Sequence, residues 1–179
     1  MVGSALQRVI PNGIFISSKD CDLRDARSTR KIIEAYRPDA VIHLAAKVGG
    51  IKANMENLGD FYRENILINT NVLESAHINN VKKVVSLLST CIYPNEVTYP
   101  LTEDQIHNGP PHRSNYAYAY AKRMLDIQSQ AYREQYGCNF ITAVPNNLFG
   151  ENDNYDLNDS HVIPAMMHKM LRAKQNNES

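Results

Sequence analysis

Short apolar runs of strand length alternate with amphipathic stretches of helix length along the chain, and that alternation leaves few folds open. Ile14-Phe15-Ile16-Ser17, Ala40-Val41-Ile42-His43-Leu44, residues 83–88 and Cys138 to Val144 each read as a buried-type strand. Between them lie helical patterns: Asp25 to Tyr36, about Leu58 to His77, residues 116–136 and, near the end, 163–174. Pro38 stops the first of these, and Leu6, Val9 and Ile10 form an earlier helical stripe ended by Pro11-Asn12-Gly13. Strands that alternate with helices build βαβ units, so the expected class is α/β with a parallel sheet.

Composition narrows the function classes. At 179 residues, 43% hydrophobic and 21% charged, the chain can bury a core and reads as one domain. Its formal net charge of zero and lack of like-charge runs give no footprint for nucleic acid or an anionic membrane. Cys21, Cys91 and Cys138 have no metal-ligand spacing, so no metal site is expected. With no signal-peptide pattern and no long apolar run, a cytoplasmic, reducing location is the expectation.

Two stretches carry chemistry. Ser89-Thr90-Cys91-Ile92-Tyr93-Pro94 follows the run Val84-Val85-Ser86-Leu87-Leu88, so a hydroxyl and a thiol stand just past a strand's carboxyl end. That is where open α/β sheets bind ligands. Tyr118 and Lys122 lie four apart in a helical pattern, one turn apart on one face. A neighbouring ammonium stabilises the phenolate and is expected to draw the tyrosine pKa down, which suits it to pass protons. The plainer reading is an amphipathic helix in which Tyr116, Tyr118 and Tyr120 are core or interface residues; only Tyr118 has the spacing to Lys122.

In the order of these pieces the chain resembles the extended short-chain dehydrogenase/reductases. The residues carrying the resemblance are Ala45 to Ile51, Ser89 to Pro94, Tyr118 to Lys122, Pro145-Asn146-Asn147-Leu148-Phe149-Gly150, Asn152-Asp153-Asn154 and Ser160-His161-Val162-Ile163-Pro164. It implies a Rossmann-like doubly wound parallel sheet, here incomplete. The family's opening strand and most of a C-terminal substrate domain are missing, and only Gly3 survives of a Gly-x-x-Gly-x-x-Gly turn. Residues 1–150 are then the NADP-binding part and 151–179 the start of the substrate-binding region. Asn146 stands where the family usually has threonine.

The resemblance implies NADPH-dependent 3,5-epimerisation and 4-reduction of GDP-4-keto-6-deoxy-D-mannose to GDP-L-fucose. Tyr118, Lys122 and Ser89 become the reductase centre, with the tyrosine protonating the developing alkoxide. Cys91 and His161 become the base and acid that move protons next to the ketone. For these two the plainer readings are a small packed residue and a helix-entry residue.

The implied NADP(H) site takes Gly3, Lys19, Asp22, Leu23, Ala45, Ala46, Lys122, Pro145, Asn146, Asn147, Leu148 and His161, and Lys169 is placed at the sugar-nucleotide diphosphate. Ser17-Ser18-Lys19, ending the second strand without an acidic residue, suits a 2′-phosphate and hence NADPH. The aspartates of Asp20-Cys21-Asp22-Leu23 read equally well as an N-terminal cap for the next helix. Asn65, on the inner stripe of the long helix, is expected to support the Tyr118–Lys122 pair, and Gly49-Gly50 to let backbone approach a substrate. Helices 58–77 and 116–136 are the expected homodimer surface. Two alternatives stay open: another nucleotide-sugar epimerase or dehydratase, or an inactive fragment that binds nucleotide or pairs. Cys91-Ile92 stands where dehydratases place an acidic pair, which argues against dehydration.

Overall fold

The computed structural model describes residues 1–157 and 160–177, so four residues of the segment 151–179 lie outside the described ones. Helix α1 (Val2–Val9) leads into α2 (Ala26–Tyr36), strand β1 (Ala40–His43), the short α3 (Ile51–Glu56) and α4 (Leu58–Ile78). Strand β2 (Lys83–Leu87), α5 (Tyr116–Tyr136), β3 (Phe140–Ala143) and α6 (Val162–Asn176) follow. The strands form a parallel sheet in the order β1-β2-β3.

Local chemistry sets the helix boundaries. Asp25 caps α2 by accepting from Ser28 N at 2.6 Å. Arg37, with φ 44°, turns the chain out of that helix before Pro38. Gly137 ends α5 at φ 68°, a conformation glycine adopts without strain.

Register sorts the strand residues by face. Val41, Val84 and Phe140 are paired neighbours, as are His43, Ser86 and Thr142, so all six side chains share one face. Within it, Val84, Ser86 and Phe140 are fully buried. The packed core joins Val84 and Phe140 to Ile33 of α2, Leu73 and Ala76 of α4, Leu125 of α5, and Ile92 and Ile106 of the long loop after β2. On the opposite face Ile42 and Ile141 are 43% and 37% exposed.

Ile14 to Ser17 is not a strand. It belongs to no sheet, and Ile14, Phe15 and Ile16 are exposed. A β-rich segment becomes a strand only when a ladder neighbour takes its backbone groups, and none of the described strands lies beside it. Helix α3 occupies a stretch where no element is expected from the sequence.

Candidate active site

The carboxyl end of β2 and the first turns of α5 build the site. Ser89 continues the strand in extended geometry (φ −157°, ψ 151°), then caps a 3-10 turn at Thr90–Ile92 by accepting from Cys91 N at 3.4 Å. Opposite it, Tyr118 stands close enough to the Ser89 hydroxyl and the Cys91 thiol for both to act on its phenol. One turn on, Lys122 is 3% exposed, and its Nζ donates to Leu87 O at 2.9 Å, which pins α5 to the strand end. Ser89, Cys91, Tyr118 and Lys122 therefore share one centre.

Its electrostatics differ from the sequence expectation. Burial pushes the Tyr118 pKa up to about 12, a negative charge on Cys91 would push the same way, and the Ser89 hydroxyl opposes both. The net shift is therefore upward rather than the expected lowering, because burial of the phenol dominates. Burial also draws the Lys122 pKa down to about 8. At neutral pH the phenol is thus fully protonated, the form that can give a proton to an oxygen gaining negative charge.

Sequence reasoning missed the side chains that hold this centre. His43 Nε2 lies 3.1 Å from Asn69 Oδ1, and Asn69 Nδ2 donates to Ala121 O at 3.2 Å, beside Lys122. With the amide nitrogen donating, the amide oxygen accepts, so His43 carries its proton on Nε2. Burial above all, and then the Lys122 charge, lower the His43 pKa to about 4. Asn69, rather than Asn65, supports the helix of Tyr118 and Lys122. Asn65 instead clamps Lys47, accepting from its N and donating to its O at 3.0 Å each, and donates to Phe61 O at 2.7 Å. A clue within the sequence was that Asn65 and Asn69 are four apart, hence on one buried face of α4.

The remaining expected residues surround the centre at varying distance. Gly3 lies in the first turn of α1, and an added Cβ there would stand 4.0 Å from Leu44, just past the end of β1. Ala45 and Ala46 follow, half-buried. Asn147 Oδ1 accepts from Thr90 Oγ1 at 3.4 Å, which brings the loop of Pro145, Asn146, Asn147 and Leu148 against the Cys91 turn. Gly49 meets Phe61 and Ala53, each 3.1 Å from an added Cβ, so its missing side chain serves packing.

Asp20 and Asp22 do not cap α2: Asp20 accepts from Ser17 N and Oγ at 2.8 Å, and Asp22 pairs with Arg24 at 2.8 Å. Arg24 holds the Asp22 carboxyl down to about 2 and continues to Glu64, which also pairs with Lys47. Leu23 O accepts from Asn71 Nδ2 at 2.9 Å, and Lys19 is exposed. His161 stands at the start of α6 without a side-chain cap bond, exposed, and no hydrogen bond joins it to Cys91 among the described residues. Lys169 is exposed on α6. No cluster of three or more metal-ligating side chains occurs among the described residues, and no helix among them is long and apolar enough to cross a membrane.

Residues 4–178 match the model of the NAD dependent epimerase/dehydratase family. The chain is 53% identical over 165 residues to a GDP-L-fucose synthase of Dictyostelium discoideum, covering 92% of this chain and 52% of that protein. It is 48% identical over 177 residues to a probable GDP-L-fucose synthase of Drosophila melanogaster, covering 95% and 55%. A crystal structure of a GDP-L-fucose synthetase from Naegleria fowleri bound to NADP superposes with a TM-score of 0.92 at 43% identity, covering 99% of this chain and 60% of that one. The chain spans about half the length of the curated relatives it matches.

Proposed function

Because this chain belongs to the NAD dependent epimerase/dehydratase family, we propose that its site serves NADPH-dependent 3,5-epimerisation and 4-reduction of GDP-4-keto-6-deoxy-D-mannose to GDP-L-fucose. The observation that carries the reading is a buried phenol, Tyr118, near both the Ser89 hydroxyl and the Cys91 thiol, with Lys122 one turn on. One group is set to protonate an oxygen, and the other lies within reach of carbons next to it. The names of the relatives support the substrate class.

The residues fit NADP(H) by their donors and their lack of bulk. Lys122 uses one of its ammonium hydrogens on Leu87 O, which leaves two for ribose hydroxyls. Gly3, Ala45 and Ala46 put no large side chain at the end of β1, and Pro145 to Leu148 border the Cys91 turn. Lys19, an exposed cation, would hold a 2′-phosphate, and Leu23 and Asp22, the latter paired with Arg24, would hold the adenine. When bound, the cofactor supplies the hydride. Tyr118 then gives its proton to the C4 oxygen, held in line by Ser89. Cys91 removes the acidic protons at C3 and C5, and His161 returns protons from the other side, α6 carrying both His161 and, for the diphosphate, Lys169. Residues 1–150 hold the cofactor and 151–179 begin the substrate side, in a cytoplasmic, reducing setting that suits three free thiols.

Mixing the protein with NADPH and the 4-keto sugar nucleotide in deuterated water tests this. We expect NADPH absorbance to fall and deuterium to enter at C3 and C5. Cys91→Ser should slow the exchange by about 10²-fold or more while sparing hydride transfer, and Tyr118→Phe should do the reverse. Equal loss of both reactions in Cys91→Ser would sink the division of roles. Binding of NADPH without any turnover would favour a second reading, a nucleotide-binding subunit that pairs with another copy. The observation favouring pairing is the outer face of α4 and α5, where Leu58, Gly59, Tyr62, Tyr116, Ala117, Tyr120 and Met124 line an apolar groove of about 430 Å³. Homodimerisation through this face belongs to both readings.

A further inference from the structure

Arg123 follows Lys122 on α5, is 3% exposed, and has no carboxylate among the described residues. Its Nε donates to Ile92 O and its Nη1 to Gly109 O, both at 2.7 Å, while Nη2 is buried without a partner among the described residues. The guanidinium lies over the Tyr120 ring, 5.3 Å from its centre. Desolvating a cation for two neutral carbonyls is unfavourable, so the role of the side chain lies in what those carbonyls belong to. Ile92 ends the 3-10 turn that carries Cys91. Gly109 lies in the returning loop, which pairs with the residues just after that turn through the Pro94–Pro111 bridge and the bond from Asn95 N to Pro110 O at 2.9 Å.

Ser89 is anchored differently. The sheet holds the chain before it, with Leu88 N donating to Ala143 O at 2.9 Å and Lys122 bonding Leu87 O. Ser89 also caps the Cys91 turn at its start, accepting from Cys91 N at 3.4 Å, whereas Arg123 holds that turn at its far end, through Ile92 O.

We propose that Arg123 is the positioning residue for Cys91: by bonding Ile92 O and Gly109 O it fixes the far end of the thiol's turn against α5. The consequence for epimerisation rests on the function proposed above; the placement of the thiol does not.

Site-resolved alkylation with iodoacetamide, followed by mass spectrometry, reads the placement directly in Arg123→Gln and Arg123→Lys. The rate at Cys91 should rise by about fivefold or more in Arg123→Gln and by less in Arg123→Lys, with Cys21 and Cys138 within about twofold of the parent. An unchanged rate at Cys91 overturns the proposal, and so does a common rise at all three cysteines, which would make Arg123 a support of the whole fold. Should Arg123→Gln not fold, Arg123→Lys, which keeps the cation and can keep one bond, decides by the same comparison. In the turnover assay, Arg123→Lys should lose about tenfold in C3/C5 deuterium exchange with hydride transfer within about threefold of the parent. Equal losses overturn the proposal. If the parent protein shows no turnover, the proposed function fails while the alkylation result still decides this one.

Discussion

His43 and Lys122 are buried ionisable neighbours whose pKa values both move down, to about 4 and about 8. A depressed folded-state pKa means that the unfolded chain binds the proton more tightly. For His43 the stabilisation is complete above its ordinary value of 6.5 and is lost as the pH falls toward about 4. The shift corresponds to roughly 3 kcal/mol. Urea unfolding from pH 7 down to pH 4 should show this slope in the parent and not in His43→Gln; parallel slopes would refute it. Lys122 adds a slope of the same sign above pH 8, where NMR of its ε-methylene should show its titration midpoint. A midpoint near the ordinary value of 10.5 would mean the ammonium is not desolvated. Ser89, Tyr118 and Lys122 were legible because strand-end position and four-residue helical spacing are local. His43, Asn69 and Arg123 were not, since each acts through a hydrogen bond to a distant element and leaves no period in the sequence.

Elements were legible where one face is buried at helical period. The stretch 116–136 is α5 to the residue, and α4 runs one residue past its expected end. Ile14 to Ser17 has the composition of a strand and no ladder, because pairing depends on a neighbour that its own sequence does not describe. The end of α5 carries a separate test. Gly137 sits at φ 68° with open space where a Cβ would stand, so backbone conformation alone sets the effect of a side chain there. Gly137→Ala should lower unfolding free energy by about 1 kcal/mol, and no change would show that the turn relaxes at no cost.

At the scale of the molecule, one face of the sheet is layered by α2, α4 and α5, and the outer side of α4 and α5 remains apolar. If two copies meet there, Tyr62→Glu with Met124→Glu should convert a dimer to a monomer by light scattering, with the fold intact by circular dichroism. A parent that is already monomeric would remove this surface from consideration. The placement of charge has its own consequence for the way the molecule meets its solvent. The chain Asp22–Arg24–Glu64–Lys47 is largely at the surface, where at physiological ionic strength attraction fades over about 8 Å. Lys122 and Arg123 are buried and hydrogen-bond main-chain carbonyls inside the protein, where mobile ions do not reach. Raising the salt therefore loosens the rim beside Asp22 and leaves the frame around Tyr118 and Cys91 as it was.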